Sequence, residues 1–200
     1  LFSLRTPFRI GRIKGYTRFL LNYRTDTYSK DLTTDMVQRN LLLAAPLEKI
    51  RPIQYTKEFK LYLTDREKED FRYYMEKEGI DFAHPVLLIG VTTKLIHKKW
   101  NTEFMIATLK RILEEHKDIQ MIFNYAPGYE EEDARNIYKE LGCPERIKID
   151  IQASSLRQLA ALCANCSFYF GNEGGARHIA QALGVPSFAI YSPSASKSMW

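Results

Sequence analysis

From Pro85 onward the chain alternates between two hydrophobic periods. Short apolar runs, of which Val86-Leu87-Leu88-Ile89-Gly90 is the clearest, read as buried strands, and apolar residues spaced three and four apart read as helices. The pattern predicts strands near residues 86–90, 119–124, 147–149, 167–170 and 187–191. It predicts helices near 102–116, 130–141, 155–165 and 176–183, the first opened by Asn101 or Thr102 and the third by a Ser155–Gln158 capping box. Strands joined by helical connections cannot be hairpins. They imply right-handed crossovers and a mostly parallel sheet with helices on both faces, in which Phe188 and Tyr191 are expected to be sheet core.

Before Pro85 the pattern is weaker. Leu1 to about Ile50 holds a basic turn around Gly11 and Gly15, then a helix from about Thr33 to Ala45, capped by Thr33 or Thr34 and closed by Pro46. Residues 51–84 read as a charged connector, with Phe59, Leu61 and Leu63 alternating ahead of a Thr64–Glu67 capping box. The expected organisation is therefore an opening segment 1–50, a connector 51–84 and an α/β domain 85–200.

On such a sheet, ligands bind beyond the carboxyl ends of the strands. The loops after residues 90, 124 and 170 all leave strand ends, so they are expected to converge on one ligand. The third is the most informative. After Ser167-Phe168-Tyr169-Phe170 come Gly171-Asn172-Glu173-Gly174-Gly175, then a helix stopped by Gly184 and Pro186. Adjacent glycines let a ligand approach the backbone, and the free N–H groups of a helix start favour an anion. Glu173, Arg177 and His178 place polar chemistry where packing alone would put small or apolar side chains.

The run Glu173-Gly174-Gly175-Ala176-Arg177-His178-Ile179-Ala180-Gln181-Ala182-Leu183-Gly184-Val185-Pro186, followed by Ser192-Pro193-Ser194, resembles the Asp-Thr/Ser-Gly-x-x-His-x-Ala-x-Ala-x-Gly-x-Pro signature of glycosyltransferase family 9, the ADP-heptose:lipopolysaccharide heptosyltransferases and their relatives. Glu173 stands where the family has Asp, and Gly174 where it has a hydroxyl. Val91-Thr92-Thr93 with Lys98-Lys99-Trp100 resembles the family's nucleotide-side loop, and Ala126-Pro127-Gly128-Tyr129-Glu130 the segment that meets the nucleoside. The resemblance covers most of the chain and is strongest from about Val86 to Ser194.

The resemblance implies a GT-B-type α/β fold in which a Rossmann-like, parallel-sheet C-terminal domain follows the tail of an N-terminal α/β domain on the acceptor side. It implies inverting, metal-independent transfer of a heptose or related sugar from an ADP-sugar or other nucleoside-diphosphate donor to a lipopolysaccharide core acceptor, without a cofactor. Lys98, or its rival Lys99, would hold the diphosphate and stabilise the leaving group. Thr92 and Thr93 would bond phosphate oxygens, Glu130 the ribose and Glu173 the sugar hydroxyls. Gly174 and Gly175 would face the phosphate or sugar through their N–H groups, and His178 would reach the same pocket. The general base is expected upstream of Leu1, so the chain is expected to bind donor without turning over; a start at Leu1-Phe2-Ser3 without methionine or a signal-peptide pattern is expected to mark an internal fragment.

Composition adjusts this picture only at its edges. With 45% hydrophobic and 26% charged residues among 200, the chain can bury a core, and no apolar run is long enough to span a bilayer. It is expected to be soluble. Cys143, Cys163 and Cys166 are an odd count without a signal-peptide pattern, which points to reduced thiols in the cytoplasm. The last two continue an apolar helical face and are expected to be buried, and His84, His97 and His116 lack metal-ligand spacing.

The net charge of +5 gathers in Arg5, Arg9, Arg12, Lys14, Arg18 and Arg24, interleaved with Tyr16, Phe19 and Tyr23. That segment fits an acidic glycolipid at the inner membrane surface or, in a different function class, RNA. A third class is a dinucleotide-binding oxidoreductase, but no G-x-G-x-x-G follows the strand ending at Gly90.

Overall fold

The computed structural model describes residues 6–12, 14–15, 19–25 and 35–193. Contacts divide the chain into two units, one holding the residues up to Glu58 and the other Phe59–Ser192.

In the first unit, strands β1 (Ile10–Arg12) and β2 (Tyr23–Thr25) pair in parallel with Ile10 opposite Tyr23. Asn22 closes the connection, accepting from the Arg9 amide at 2.7 Å and donating to the Pro7 carbonyl at 2.7 Å. Helix α1 (Met36–Leu41) is capped by Asp35, whose carboxylate accepts from the Gln38 amide at 2.7 Å and is thereby held below the usual carboxylate pKa. Pro46 does not close this helix as expected. The chain passes from α1 into a 3₁₀ helix, Leu42–Lys49, with Pro46 inside it. Proline cannot donate to the α ladder, but its fixed φ suits the tighter winding. The expected caps Thr33 and Thr34, and Arg5, Tyr16 and Arg18 of the basic segment, lie outside the described residues.

The second unit opens with Leu61 donating to the Ala182 carbonyl at 3.0 Å; the alternation of Phe59, Leu61 and Leu63 forms no strand. Helix α2 (Asp65–Lys77) carries both halves of the Thr64–Glu67 capping box. Five strands follow: β3 (Val86–Gly90), β4 (Gln120–Asn124), β5 (Ile147–Lys148), β6 (Phe168–Asn172) and β7 (Ser187–Ile190). Between them run α3 (Thr102–Glu115), α4 (Tyr129–Glu140), α5 (Leu156–Ala164) and α6 (Gly175–Ala182). All neighbours pair in parallel, in the order β5-β4-β3-β6-β7. The expected α/β fold with a parallel sheet is the observed one.

Each face of the sheet has its own core. Val86 and Leu88 point with Ile122 and Tyr169 toward residues of α2, α5 and α6, while Leu87 and Ile89 point with Met121, Phe123 and Phe170 toward α3 and α4. A strand buried on both faces needs an unbroken apolar run, and burial of each such side chain contributes about 1.5–3 kcal/mol. Cys163 and Cys166 lie buried in the first core, as expected; burial raises the Cys163 thiol pKa to about 12.

Two expectations need correction. The Ser155–Gln158 box is half formed: Ser155 accepts from the Gln158 amide at 3.2 Å, but the Gln158 side chain turns to Ser154, accepting from its amide at 2.9 Å. Phe188 is not core. It is 61% exposed, because β7 is an edge strand, and its ring stacks at 6.1 Å on Phe170.

Candidate functional site

The strand order places a switch point beside β3. The chain leaves β3 for β4 and β5 on one side, then returns to build β6 and β7 on the other. Loops leaving β3 and β6 therefore depart in opposite directions and open a crevice at their carboxyl ends, the place where open α/β sheets bind ligands.

Beneath that crevice β3 and β6 come unusually close. Gly171 has φ +137° and sits so near Gly90 that an added Cβ would lie 2.3 Å from the Gly90 carbonyl oxygen. A Cβ on Gly90 would meet the Tyr169 hydroxyl at 2.1 Å. That hydroxyl donates to the Asn172 carbonyl at 2.6 Å, fixing the end of β6.

Asn172 then ties the two loops together. Its Oδ1 accepts from the Trp100 amide at 2.7 Å, and its Nδ2 donates to the carbonyls of Gly90 at 3.0 Å and Val91 at 3.2 Å. The side chain is buried, and its bonds hold backbone at the end of β3 and in the loop after it. Sequence reasoning missed this residue. Its signal was an amide side chain at the last position of a strand, directly before the motif carboxylate.

With Trp100 anchored, Lys98 faces the motif. Its Nζ lies 3.0 Å from Glu173 Oε2, while Glu173 Oε1 lies 3.7 Å from His178 Nε2. His178 is in the first turn of α6, and its Nδ1 lies 3.3 Å from Arg177 Nη1. Burial, and then the Arg177 charge, lower the His178 pKa, against an opposing pull from Glu173. An imidazole in that setting is neutral at pH 7. Lys99 turns the other way, into an ion pair with Asp133 of α4. Of the two rival lysines, Lys98 is the one at the motif.

Gly174 is in extended conformation and Gly175 begins α6. A Cβ on either would meet nothing within 4 Å. Packing does not demand these glycines, in contrast to Gly90 and Gly171; they leave open space over the first helical turn, whose N–H groups have no intrahelical acceptor.

The remaining expected residues form a neighbouring group. The Thr92 hydroxyl donates to Glu130 Oε2 at 3.1 Å, and both residues are buried. Glu130 is thus held by the loop after β3, with its second oxygen available as an acceptor. The Thr93 carbonyl accepts from the Tyr129 hydroxyl at 3.2 Å. The loop after β3 thus touches the start of α4 through Thr92 and Lys99, and the loop after β6 through Lys98.

Chemically, the cluster offers an ammonium, a guanidinium, a neutral imidazole and a carboxylate around an open helix start. It can seat an anion on the helix and accept hydroxyl hydrogens at Glu173. A separate groove of about 410 Å³, lined by Glu67, Phe71, Tyr74 and Arg157 among others, lies between α2 and α5 and shares none of these residues.

The family model of glycosyltransferase family 9 (heptosyltransferase) matches residues 1–199. Sequence comparison with curated proteins gives no significant match. Among solved structures, a family 9 glycosyl transferase from Veillonella parvula DSM 2008 is similar with TM-score 0.73 and 14% identity, over 94% of this chain and 51% of that one. The E. coli ADP-heptose lps heptosyltransferase II is similar with TM-score 0.71 and 20% identity, over 100% of this chain and 62% of that one. E. coli heptosyltransferase WaaC, solved with ADP-2-deoxy-2-fluoro heptose, gives TM-score 0.54 and 17% identity, over 90% of this chain and 52% of that one. The chain spans about half to three fifths of the length of these relatives. Their likeness extends to the GT-B-type α/β fold.

Proposed function

Because the chain belongs to glycosyltransferase family 9, we propose that it carries the donor-binding part of a glycosyltransferase that moves a heptose or related sugar from a nucleoside-diphosphate donor to a lipopolysaccharide core acceptor. The observation that carries this reading is the Lys98–Glu173–His178 cluster at the start of α6, placed at the switch point of the sheet. The E. coli relative solved with ADP-2-deoxy-2-fluoro heptose supports a donor of that kind.

In the proposed reaction an acceptor hydroxyl attacks the anomeric carbon, the bond from that carbon to the diphosphate oxygen breaks, and configuration inverts. The hydroxyl proton passes to a base on the acceptor side, a role we assign to none of the residues described here. The diphosphate leaves with the bonding pair. Lys98 and the first N–H groups of α6 stabilise the charge that grows on it, work that elsewhere a metal ion does. Glu173 accepts from sugar hydroxyls, Thr92 and Thr93 serve the phosphates, and Glu130 accepts from the ribose through its second oxygen.

With such an acceptor, the protein would work at the cytoplasmic face of the inner membrane, with the basic residues Arg9, Arg12, Lys14 and Arg24 toward acidic glycolipid. Calorimetric titration with ADP, UDP and NAD tests the donor assignment. Selective binding of one nucleoside diphosphate supports it, and preference for NAD would replace it with a dinucleotide site.

A further inference from the structure

A diphosphate brings at least two negative charges, and the cations best placed by sequence to meet it are already answered. Lys98 is paired with Glu173 at 3.0 Å, and Lys99 with Asp133. Neither contributes net charge to a ligand while its pair is intact.

Arg177 differs. It lies in the first turn of α6, within the two positions that the family signature leaves variable. Its Nη1 is against His178 Nδ1 at 3.3 Å and its Cζ is 5.9 Å from the centre of the Tyr191 ring. Its Nε is buried with no hydrogen-bond partner, and among the described residues no carboxylate forms an ion pair with it. A guanidinium can only donate, so His178 Nδ1 must be the acceptor. The imidazole is then the neutral Nε2–H tautomer, with that hydrogen on the side of Glu173. Lys98, Glu173, Arg177 and neutral His178 sum to one positive charge, at a helix start that adds its own.

A partly buried cation without a counter-ion is costly unless something else supplies the anion. Two and three residues before it in sequence, Gly175 and Gly174 leave open space. We infer that Arg177, in addition to Lys98, is a cation that meets the diphosphate of the ligand, an inference that rests on the donor reading above. The planar guanidinium offers phosphate oxygens a two-pronged contact that Lys98, held by Glu173, cannot. Gly174, where the family has a hydroxyl, leaves the approach to it clear.

The test is calorimetric titration of the full chain and its Arg177→Gln and Arg177→Lys variants with ADP, inorganic pyrophosphate and adenosine, together with melting of each ligand-free protein. Arg177→Gln is expected to bind ADP and pyrophosphate at least about tenfold more weakly, with adenosine unchanged, and Arg177→Lys to fall between. Ligand-free Arg177→Gln is expected to melt no lower than the parent, since it loses a charge without a counter-ion. Equal pyrophosphate binding by parent and Arg177→Gln overturns the inference, as does a parallel loss of adenosine. A parent that binds pyrophosphate through Arg177 but no nucleoside diphosphate supports the anion subsite and sinks the donor reading. A parent that binds none of them sinks both.

Discussion

The backbone N–H of Trp100 donates to the side-chain oxygen of Asn172 at 2.7 Å, across 72 positions of sequence. Through this bond the end of β6 fixes the loop that carries Lys98. Removing it should release the loop and leave the Trp100 amide and two carbonyls to find other partners. Asn172→Leu is expected to cost about 1–3 kcal/mol for each buried group left unsatisfied. Asn172→Asp keeps the acceptor for Trp100 but sets a carboxylate oxygen against the Gly90 and Val91 carbonyls, and should be destabilised as well. Urea denaturation of both variants checks this; parent-like midpoints would show the latch to be dispensable.

The two glycine pairs should separate in the same assay. Gly90→Ala forces a methyl group to within 2.1 Å of the Tyr169 hydroxyl, and overpacking of that kind costs about 1–3 kcal/mol or more. Gly174→Ser enters open space in an extended backbone and should stay within about 0.5 kcal/mol of the parent. If Gly174→Ser proves the more damaging, the space above α6 is not open.

His178 should titrate below its ordinary value of 6.5, because burial and Arg177 disfavour the imidazolium. With a folded pKa lowered below the unfolded one, the unfolded chain binds more protons in the interval between them. This contribution to stability is complete above pH 6.5 and declines as pH falls through the lowered value. NMR titration of the ring is the measurement. Arg177→Gln should move the pKa up and Glu173→Gln move it down, and the opposite signs would contradict the charge arrangement around the ring.

Much of the fold was legible because β3, β4 and β6 and the last four helices carry the apolar period of their element type, so element type was written locally. The glycine pair at the start of α6 was legible for a similar reason: it interrupts a strong strand and opens a strong helix. What escaped is non-local. Asn172 matters because of carbonyls 81 and 82 positions away, which no local pattern encodes. Adjacent lysines cannot be told apart by type, and only the loop path sends Lys98 to Glu173 and Lys99 to Asp133. Phe188 reads as core until β7 is known to be an edge, and Gln158 as a box partner until Ser154 competes for its amide oxygen.

The most direct test of a donor site at the strand ends is the affinity of the parent, Lys98→Gln and Lys99→Gln chains for ADP, measured by calorimetry alongside UDP. Lys98 reaches the motif carboxylate at the start of α6 and Lys99 does not. The parent should bind one nucleoside diphosphate selectively, Lys98→Gln should bind it at least about tenfold more weakly, a difference of about 1.4 kcal/mol, and Lys99→Gln should stay close to the parent. Parent binding that survives Lys98→Gln but is lost in Lys99→Gln, or no binding of any nucleoside diphosphate, would contradict the account.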